Sequence, residues 1–436
     1  MRILIISSLS PFKSGNYGNR LIDAFSQAGH QIDYLTKYRF EGMADNMYSV
    51  YDEFEPALQK ITANTRSSYK NYLCFRYPLL DYLDMKRGVK QSVIPLREDE
   101  PEVDADQVCA KVIKQYDVVY ITFWQYMLST KTIKMLYEKL HVPIILNTVD
   151  MYPMTGGCYY FADCKNYKSE CKKCPASKLF EHPNTPHFNF MYKKEVYNSI
   201  NCIYLCNEWM KERILQSKII PEYRLRPYLN SGNSSFLLNE SREKLRSELR
   251  LPKDKFILFA GAANVRIRRK GFNEMARSVN RFVKRNKNAT EVIVVLAGKN
   301  DEDFQRYFKP KVVHVGFLST ENLAKMYRAS DVYLSPSIDD AGPSMVIQSL
   351  ISGTPVVAFN IGIAPEVISN GETGYIAPLR NIDEFAKGIE YFYNMPKEKK
   401  AVISHMCRKS MVEGRNPQSF IKGFERLYNE FKDHSV

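Results

Sequence analysis

The sequence predicts an α/β protein made of two doubly wound domains, each a parallel sheet with helices on both faces. Three observations lead there. Short, almost wholly apolar runs recur along the chain between turn residues, as expected of parallel strands covered on both faces. Segments of helical periodicity alternate with those runs in both halves of the chain. The length of 436 residues is too great for one small core and suits two domains of about 200 residues each.

The first half opens on a strand, Arg2 to Ser7, followed by a loop, Ser8 to Asn19, that contains Gly15 and Gly18. A helix carrying Leu21, Ile22, Phe25 and Ala28 then stops at Gly29-His30, ahead of a strand from Ile32 to Thr36. Such a unit places its loop at the carboxyl end of a strand, where open α/β sheets bind ligands; an ordinary turn is the alternative use of the two glycines. Residues 38–106 are rich in tyrosine and read as helices and loops. Strands resume at Asp117 to Thr122 and Pro143 to Asn147, with a helix from Thr130 to Leu140 between them. The segment from Asn147 to Cys158 holds Asp150, which either serves a ligand at the strand end or organises the next turn. A strand from Cys202 to Cys206 precedes another helix, and the Asn, Ser and Gly content of residues 226–236 fits a hinge. The expected division is 1–230, 231–415 and a final helical segment, 416–436.

The second half repeats the pattern. A helix from Ser241 to Leu249 leads to a strand, Phe256 to Ala260, and then to a basic loop, Gly261-Ala-Ala-Asn-Val-Arg-Ile-Arg-Arg-Lys-Gly271. Strands follow at Glu291 to Gly298, Val312 to Val315 and Asp331 to Leu334. Pro343 then suits the first turn of a helix, Met345, Ile347, Leu350 and Ile351 give it an apolar stripe, and Gly353 and Pro355 end it. Residues 355–359 form one more buried strand. Phe420, Phe424, Leu427, Tyr428 and Phe431 make the last segment strongly amphipathic, suited to core packing or, alternatively, to a membrane surface.

Composition narrows the function. Apolar residues at 44% and charged residues at 25% are those of a soluble globular protein. No apolar run reaches the roughly 20 residues that span a bilayer, and the opening MRILIISSLSPF reads as a buried strand rather than a signal peptide. A cytoplasmic location is expected. The formal net charge of +14 calls for an anionic partner. No nucleic-acid motif surrounds the basic clusters at 266–270 and 397–400, so nucleoside-diphosphate binding and attraction to an anionic membrane face are the expected uses. Cys158, Cys164, Cys171 and Cys174 have spacings like those of a four-cysteine zinc knuckle. The alternatives are an unmetallated loop or conditional disulfides. Four thiolates would leave no open coordination position, so any zinc there would be structural.

Asp339, Asp340, Ala341 and Gly342 stand just before the Pro343 helix. The unpaired N–H groups and positive dipole of a helix start attract phosphates. Asp340 and Gln348 lie eight positions apart, one at that helix mouth and one two turns along. As the alternative, Asp340 only caps the helix and Gln348 only bonds within the core.

From Ser335 to Tyr375 the chain resembles the donor-site signature of the retaining GT-B glycosyltransferases, the sucrose-synthase-like and mannosyltransferase-like group 1 enzymes, of bacterial polysaccharide-biosynthesis type. The matching residues are Asp340, Gly342-Pro343, Gln348, residues 353–357 (GTPVV), residues 364–368 (APEVI) and residues 370–375 (NGETGY). Asp340 and Gln348 stand where the family has Glu. Val149 stands where relatives carry a His that contacts the transferred sugar. The resemblance implies a GT-B fold, with an acceptor-side domain and a donor domain facing across a cleft and a final helix crossing back. It implies metal-independent, retaining transfer of a sugar from a nucleotide-diphospho-sugar to a glycan or lipid-linked glycan hydroxyl. Asp340, Lys270, Arg269 and Asp150 would be catalytic. Gly15, Arg266, Phe317, Leu318, Gly342, Pro343, Ser344, Met345, Gln348 and Glu366 would hold the donor. The altered acidic pair leaves a second reading, a non-catalytic nucleotide-sugar-binding subunit.

Overall fold

The structure, a computed structural model, describes residues 1–54, 91–112, 114–147, 150–286, 289–298 and 303–433. Val149 and, within the tyrosine-rich stretch, all of residues 55–90 lie outside those residues. The chain divides into two compact units, Met1–Leu229 with Phe420–Val436, and Asn230–Ser419.

The first unit contains nine described strands. They are β1 (Arg2–Ile6), β2 (Gln31–Thr36), β3 (Met47–Ser49), β4 (Ser92–Val93), β5 (Val118–Thr122), β6 (Ile144–Asn147), β7 (Cys158–Tyr160), β8 (Cys202–Cys206) and β9 (Leu225–Pro227). Seven form a parallel sheet in the order β3-β2-β1-β5-β6-β8-β9, and β4 and β7 pair as a separate antiparallel ribbon. The apolar runs are apolar because they are enclosed: every residue of β5, β6 and β8 is buried. The helix Pro417–Asp433 closes one face of this sheet. Its Phe420, Ile421, Phe424 and Leu427 are buried in one cluster with Ile3, Ile5, Phe25 and Tyr120, and the rings of Phe25 and Phe424 lie 4.6 Å apart. Burying each such side chain is worth about 1.5–3 kcal/mol, enough to fix the helix there.

Three local features differ from the sequence reading. The expected loop from Ser8 to Asn19 is helical from Lys13, so Gly15 lies inside the helix Lys13–Gln27. Gly18, in the same helix, serves close packing: a Cβ there would stand 2.6 Å from both Pro11 Cα and the Tyr34 hydroxyl. A glycine costs a helix only about 1 kcal/mol relative to alanine, so such an approach can override propensity. The first two residues of the expected hinge, Arg226 and Pro227, belong to the edge strand β9, where a proline needs no ladder partner on its open side. Within residues 38–106, Met47–Ser49 pairs with β2 as a strand.

The second unit has β10 (Phe256–Gly261), β11 (Val292–Ala297), β12 (Lys311–His314), β13 (Val332–Ser335), β14 (Val356–Phe359) and β15 (Gly374–Ala377). They form a parallel sheet in the order β12-β11-β10-β13-β14-β15. The strand order reverses between β10 and β13, and the loops leaving these two strands therefore diverge at the carboxyl edge. That divergence is where doubly wound sheets leave a crevice for ligands. Among the described residues no helix is long and apolar enough to cross a membrane.

Candidate functional site

The switch point of the second sheet gathers the basic loop and the acidic turn. After β10 the chain closes in a tight turn, Arg268–Lys270, and after β13 it runs through residues 336–343 to the helix Ser344–Ile351. The two loops are zipped by their backbones, with Ile338 N–H donating to Arg269 O at 2.8 Å. Gly271 makes the approach possible. Its φ is +69°, and a Cβ there would stand 1.7 Å from Pro336 O. The Lys-Gly pair in the sequence is thus one device, a residue that permits contact beside the charge that the contact delivers.

Asp340 lies at the centre. Its Oδ2 is 2.5 Å from Lys270 Nζ and 3.2 Å from Arg269 Nη1, while its Oδ1 accepts from Gly342 N–H at 3.2 Å. The carboxylate side chain is 4% exposed, whereas Lys270 and Arg269 keep 25% and 20% of theirs open. Burial alone would raise the Asp340 carboxyl, but the charges of Lys270 and Arg269 outweigh it and hold the group below its ordinary range. Burial and the neighbouring Arg269 lower the Lys270 ammonium, more than Asp340 raises it. Two partly open cations are therefore held side by side by one enclosed anion.

The remaining residues of the carboxyl edge surround this cluster to different degrees. The helix Ser344–Ile351 has no side-chain cap, and Pro343 occupies its N-cap position, just before the first turn where the sequence placed it. Met345 lies over the end of β10, its Cε 3.0 Å from where a Gly261 Cβ would stand. Gly362, after β14, has φ +56°, and a Cβ there would meet the carbonyls of Asp340 and Ala341 within 2.6 Å. That contact brings the short helix bearing Glu366 to the same edge, with Glu366 exposed. Phe317, 65% exposed, and half-buried Leu318 follow β12. Gln348 sits deeper, its Oε1 accepting from the buried Tyr327 hydroxyl at 3.3 Å. Arg266 turns elsewhere: its guanidinium is 4.8 Å from the ring centres of both Phe272 and Tyr307.

In the first unit Asp150 follows β6 at the carboxyl edge. Its Oδ2 accepts from Gln125 Nε2 and its Oδ1 from Tyr152 N–H, both at 2.8 Å. Gln125, Tyr152 and the buried charges behind them, Glu98 and Lys193, were not singled out by the sequence reading. Charged residues in polar surroundings read as surface until their partners are known. The four cysteines, for which zinc was one reading, stand as free thiols. Cys158 and Cys171 are buried, Cys164 and Cys174 only partly so. Cys171 Sγ accepts from Gly156 N–H at 3.2 Å. Among the described residues no group of three or more His, Cys, Asp or Glu side chains is placed to hold a metal ion.

Residues 241–407 match the sequence profile of the family described as glycosyl transferases group 1. The second unit carries a glycosyl transferases group 1 domain. This domain encloses the whole Asp340–Lys270–Arg269 cluster. An uncharacterized glycosyltransferase of Methanocaldococcus jannaschii is 28% identical over 193 residues, 42% of this chain and 48% of that protein. The capsular polysaccharide biosynthesis glycosyltransferase CapM of Staphylococcus aureus is 24% identical over 239 residues, 52% of this chain and 61% of that protein. The chain thus spans less than two thirds of either relative's length. Among solved structures, Anabaena Alr3699/HepE in complex with UDP and glucose aligns with a TM-score of 0.60 at 13% identity, over 99% of this chain and 100% of that one. Two parallel-sheet α/β units with this likeness make the fold GT-B.

Proposed function

We propose that this chain is a retaining, metal-independent glycosyltransferase that moves a sugar from a nucleoside-diphosphate sugar to a hydroxyl of a glycan or lipid-linked glycan. The observation that carries the reading is the buried Asp340 holding Lys270 and Arg269 together at the switch point of a glycosyl transferases group 1 domain. A leaving diphosphate gains charge as the glycosidic bond breaks, and preorganised cations stabilise that charge most where it develops. Arg269 supplies a planar fork and Lys270 a point charge, which suits two phosphates in series. The uncapped helix start, shaped by Gly342 and Pro343, adds the backbone N–H groups of Ser344 and Met345 and the positive end of its dipole. Drawn toward the incoming diphosphate, the cations release Asp340 to accept hydrogen bonds from the sugar hydroxyls.

Gln348 holds the ribose through its amide. Tyr327 donates to one lone pair of the Gln348 oxygen, which leaves the N–H groups and the second lone pair for the ribose. Phe317 and Leu318 border the base and Glu366 the sugar, whereas Arg266, seated on its aromatic rings, takes no part in holding the diphosphate. The first unit takes the acceptor, with Asp150 as its site carboxylate and Gly15 in the helix that starts near β1. Support for work in polysaccharide biosynthesis comes from the CapM relative, and the net charge of +14 favours work at an anionic membrane face.

The test is a thermal-shift screen of the purified chain against UDP, GDP, ADP, CMP and their sugar conjugates, followed by donor turnover on the hits. A ligand of the folded state raises apparent stability by mass action. One nucleoside diphosphate with matching turnover supports the reading and names the base. Binding without turnover makes the chain a nucleotide-sugar-binding subunit, and silence across the panel overturns both.

A further inference from the structure

The first unit contains a buried charged brace that the proposed reaction has not yet used. The helix Thr185–Ser199 carries Asn189 and Lys193 one turn apart, both fully buried. Lys193 Nζ has three N–H donors and three acceptors: Glu98 Oε1 at 3.0 Å, Tyr152 O at 2.8 Å and Thr155 O at 3.1 Å. It also lies 3.6 Å from the centre of the Tyr152 ring. Glu98 Oε1 accepts from the Tyr152 hydroxyl at 2.6 Å, and Oε2 from Thr130 N and Oγ1 at 2.7 and 2.5 Å. Asn189 accepts from Glu98 N–H at 3.0 Å and donates to Leu96 O and Gly156 O at 2.8 and 3.2 Å.

This network explains the glycines of the Thr155-Gly156-Gly157-Cys158 motif. A Cβ at Gly156 would stand 1.9 Å from Pro186 O, at the start of the same helix, and Gly157 has φ +146°. The segment after β6 is pressed onto the helix by its backbone and then locked there by Lys193 and Asn189. A buried ion pair adds little stability over an apolar pair of the same size, but it is costly to satisfy in any other arrangement. Its physical effect is to select one conformation of residues 150–156. The residue so held is Asp150, whose carboxylate stands at the carboxyl end of β6 with Tyr152 N–H on one oxygen and Gln125 on the other.

We propose that Lys193 and Glu98 are positioning residues for sugar transfer, acting through Tyr152 to fix the orientation of the Asp150 carboxylate. The proposal rests on the glycosyltransferase reading above. Neither side chain touches substrate; both are enclosed. Their effect is on how often Asp150 is aimed correctly, a kcat effect, because a carboxylate displaced by even an ångström loses its reacting geometry.

The experiment uses the full chain and two variants, Tyr152→Phe and the neutral pair Lys193→Met with Glu98→Gln. Tyr152→Phe removes only the hydroxyl bond to Glu98 and keeps the backbone N–H to Asp150, so it tests the idea even if the double variant fails to fold. Steady-state turnover is measured beside the thermal shift caused by the nucleoside diphosphate. The expected result is an unchanged nucleotide shift, a donor KM within about threefold, and a kcat about tenfold lower or more. Combining either variant with Asp150→Asn should add no further loss, because residues acting as one unit are not additive. An unchanged kcat in a folded variant, or losses that multiply with those of Asp150→Asn, overturns the positioning role. Absence of wild-type turnover with every donor instead overturns the reading on which it rests, and the proposal with it.

Discussion

Asp340→Asn is the change whose outcome follows most directly from the structure. It is nearly isosteric, and Asn Oδ1 can still accept from Gly342 N–H. What it removes is the charge that faces Lys270 Nζ at 2.5 Å and Arg269 Nη1 at 3.2 Å. Taking one partner from a buried pair costs about 3–5 kcal/mol, mostly from the charge left behind. Here the stranded cations keep 25% and 20% of their side chains open to water, so about 3 kcal/mol, the lower end, is the appropriate figure. For a unit of this size that lowers Tm by roughly 6–12 °C. The pH dependence gives a second check. The folded Asp340 carboxyl is held below its ordinary range, so its stabilisation is complete above the unfolded value of about 3.9 and is lost as pH falls through the folded one. Melts of wild type and variant should differ by the same amount at pH 7 and at pH 5, with the gap closing below about pH 4. UDP should raise the variant's Tm more than the wild type's, because its phosphates replace the missing anion. A variant that melts within about 2 °C of wild type at pH 7 would refute the claim that Asp340 neutralises this cluster, and so would a gap that acid leaves unchanged.

Further outcomes follow from the same geometry. Lys270→Ala should cut turnover by about 10²-fold or more while the chain stays folded; unchanged turnover removes Lys270 from the mechanism. Gly271→Ala should destabilise by more than about 1 kcal/mol, from the φ of +69° and the collision with Pro336 O, and should lose activity with it; urea melts read the first and turnover the second. Phe317→Ala should leave stability within about 0.5 kcal/mol, since the ring is exposed, but weaken nucleotide binding in a titration. Burial pushes the Cys171 thiol up to about 12, so native protein at pH 8 should resist alkylation there, as mass spectrometry of the labelled peptides would show.

Much of the fold was readable because parallel strands enclosed on both faces must be continuously apolar. The runs at β5, β8, β10, β11 and β14 need no partner to be recognised. The Asp340 turn and the Lys270-Gly271 pair were readable for a related reason: each is a local motif whose residue types serve a local geometry. What escaped was decided at long range. The helix starting at Lys13 forms despite two glycines, one of which packs against Pro11 and Tyr34. Arg266 looked equivalent to Arg269 within one basic loop, yet rings at positions 272 and 307 draw it away. Glu98 sits in an Arg-Glu-Asp-Glu run that reads as surface, and only Thr130, Tyr152 and Lys193, far apart in sequence, make it a core residue. The cysteine spacing resembled a metal knuckle, and the structure gives these four residues as free thiols.

The helix Pro417–Asp433 fills the core of the first unit, although the entire second unit lies between it and Leu229 in the chain. Synthesis runs from the amino end, so the first sheet emerges early and must wait for Phe420, Ile421, Phe424 and Leu427 to cover it. During that interval the second unit, continuous from Asn230 to Ser419, can fold to completion. The unit that begins first therefore finishes last, and its uncovered face around Ile3, Phe25 and Tyr120 is the surface on which nascent chains would be most prone to aggregate or to recruit a chaperone.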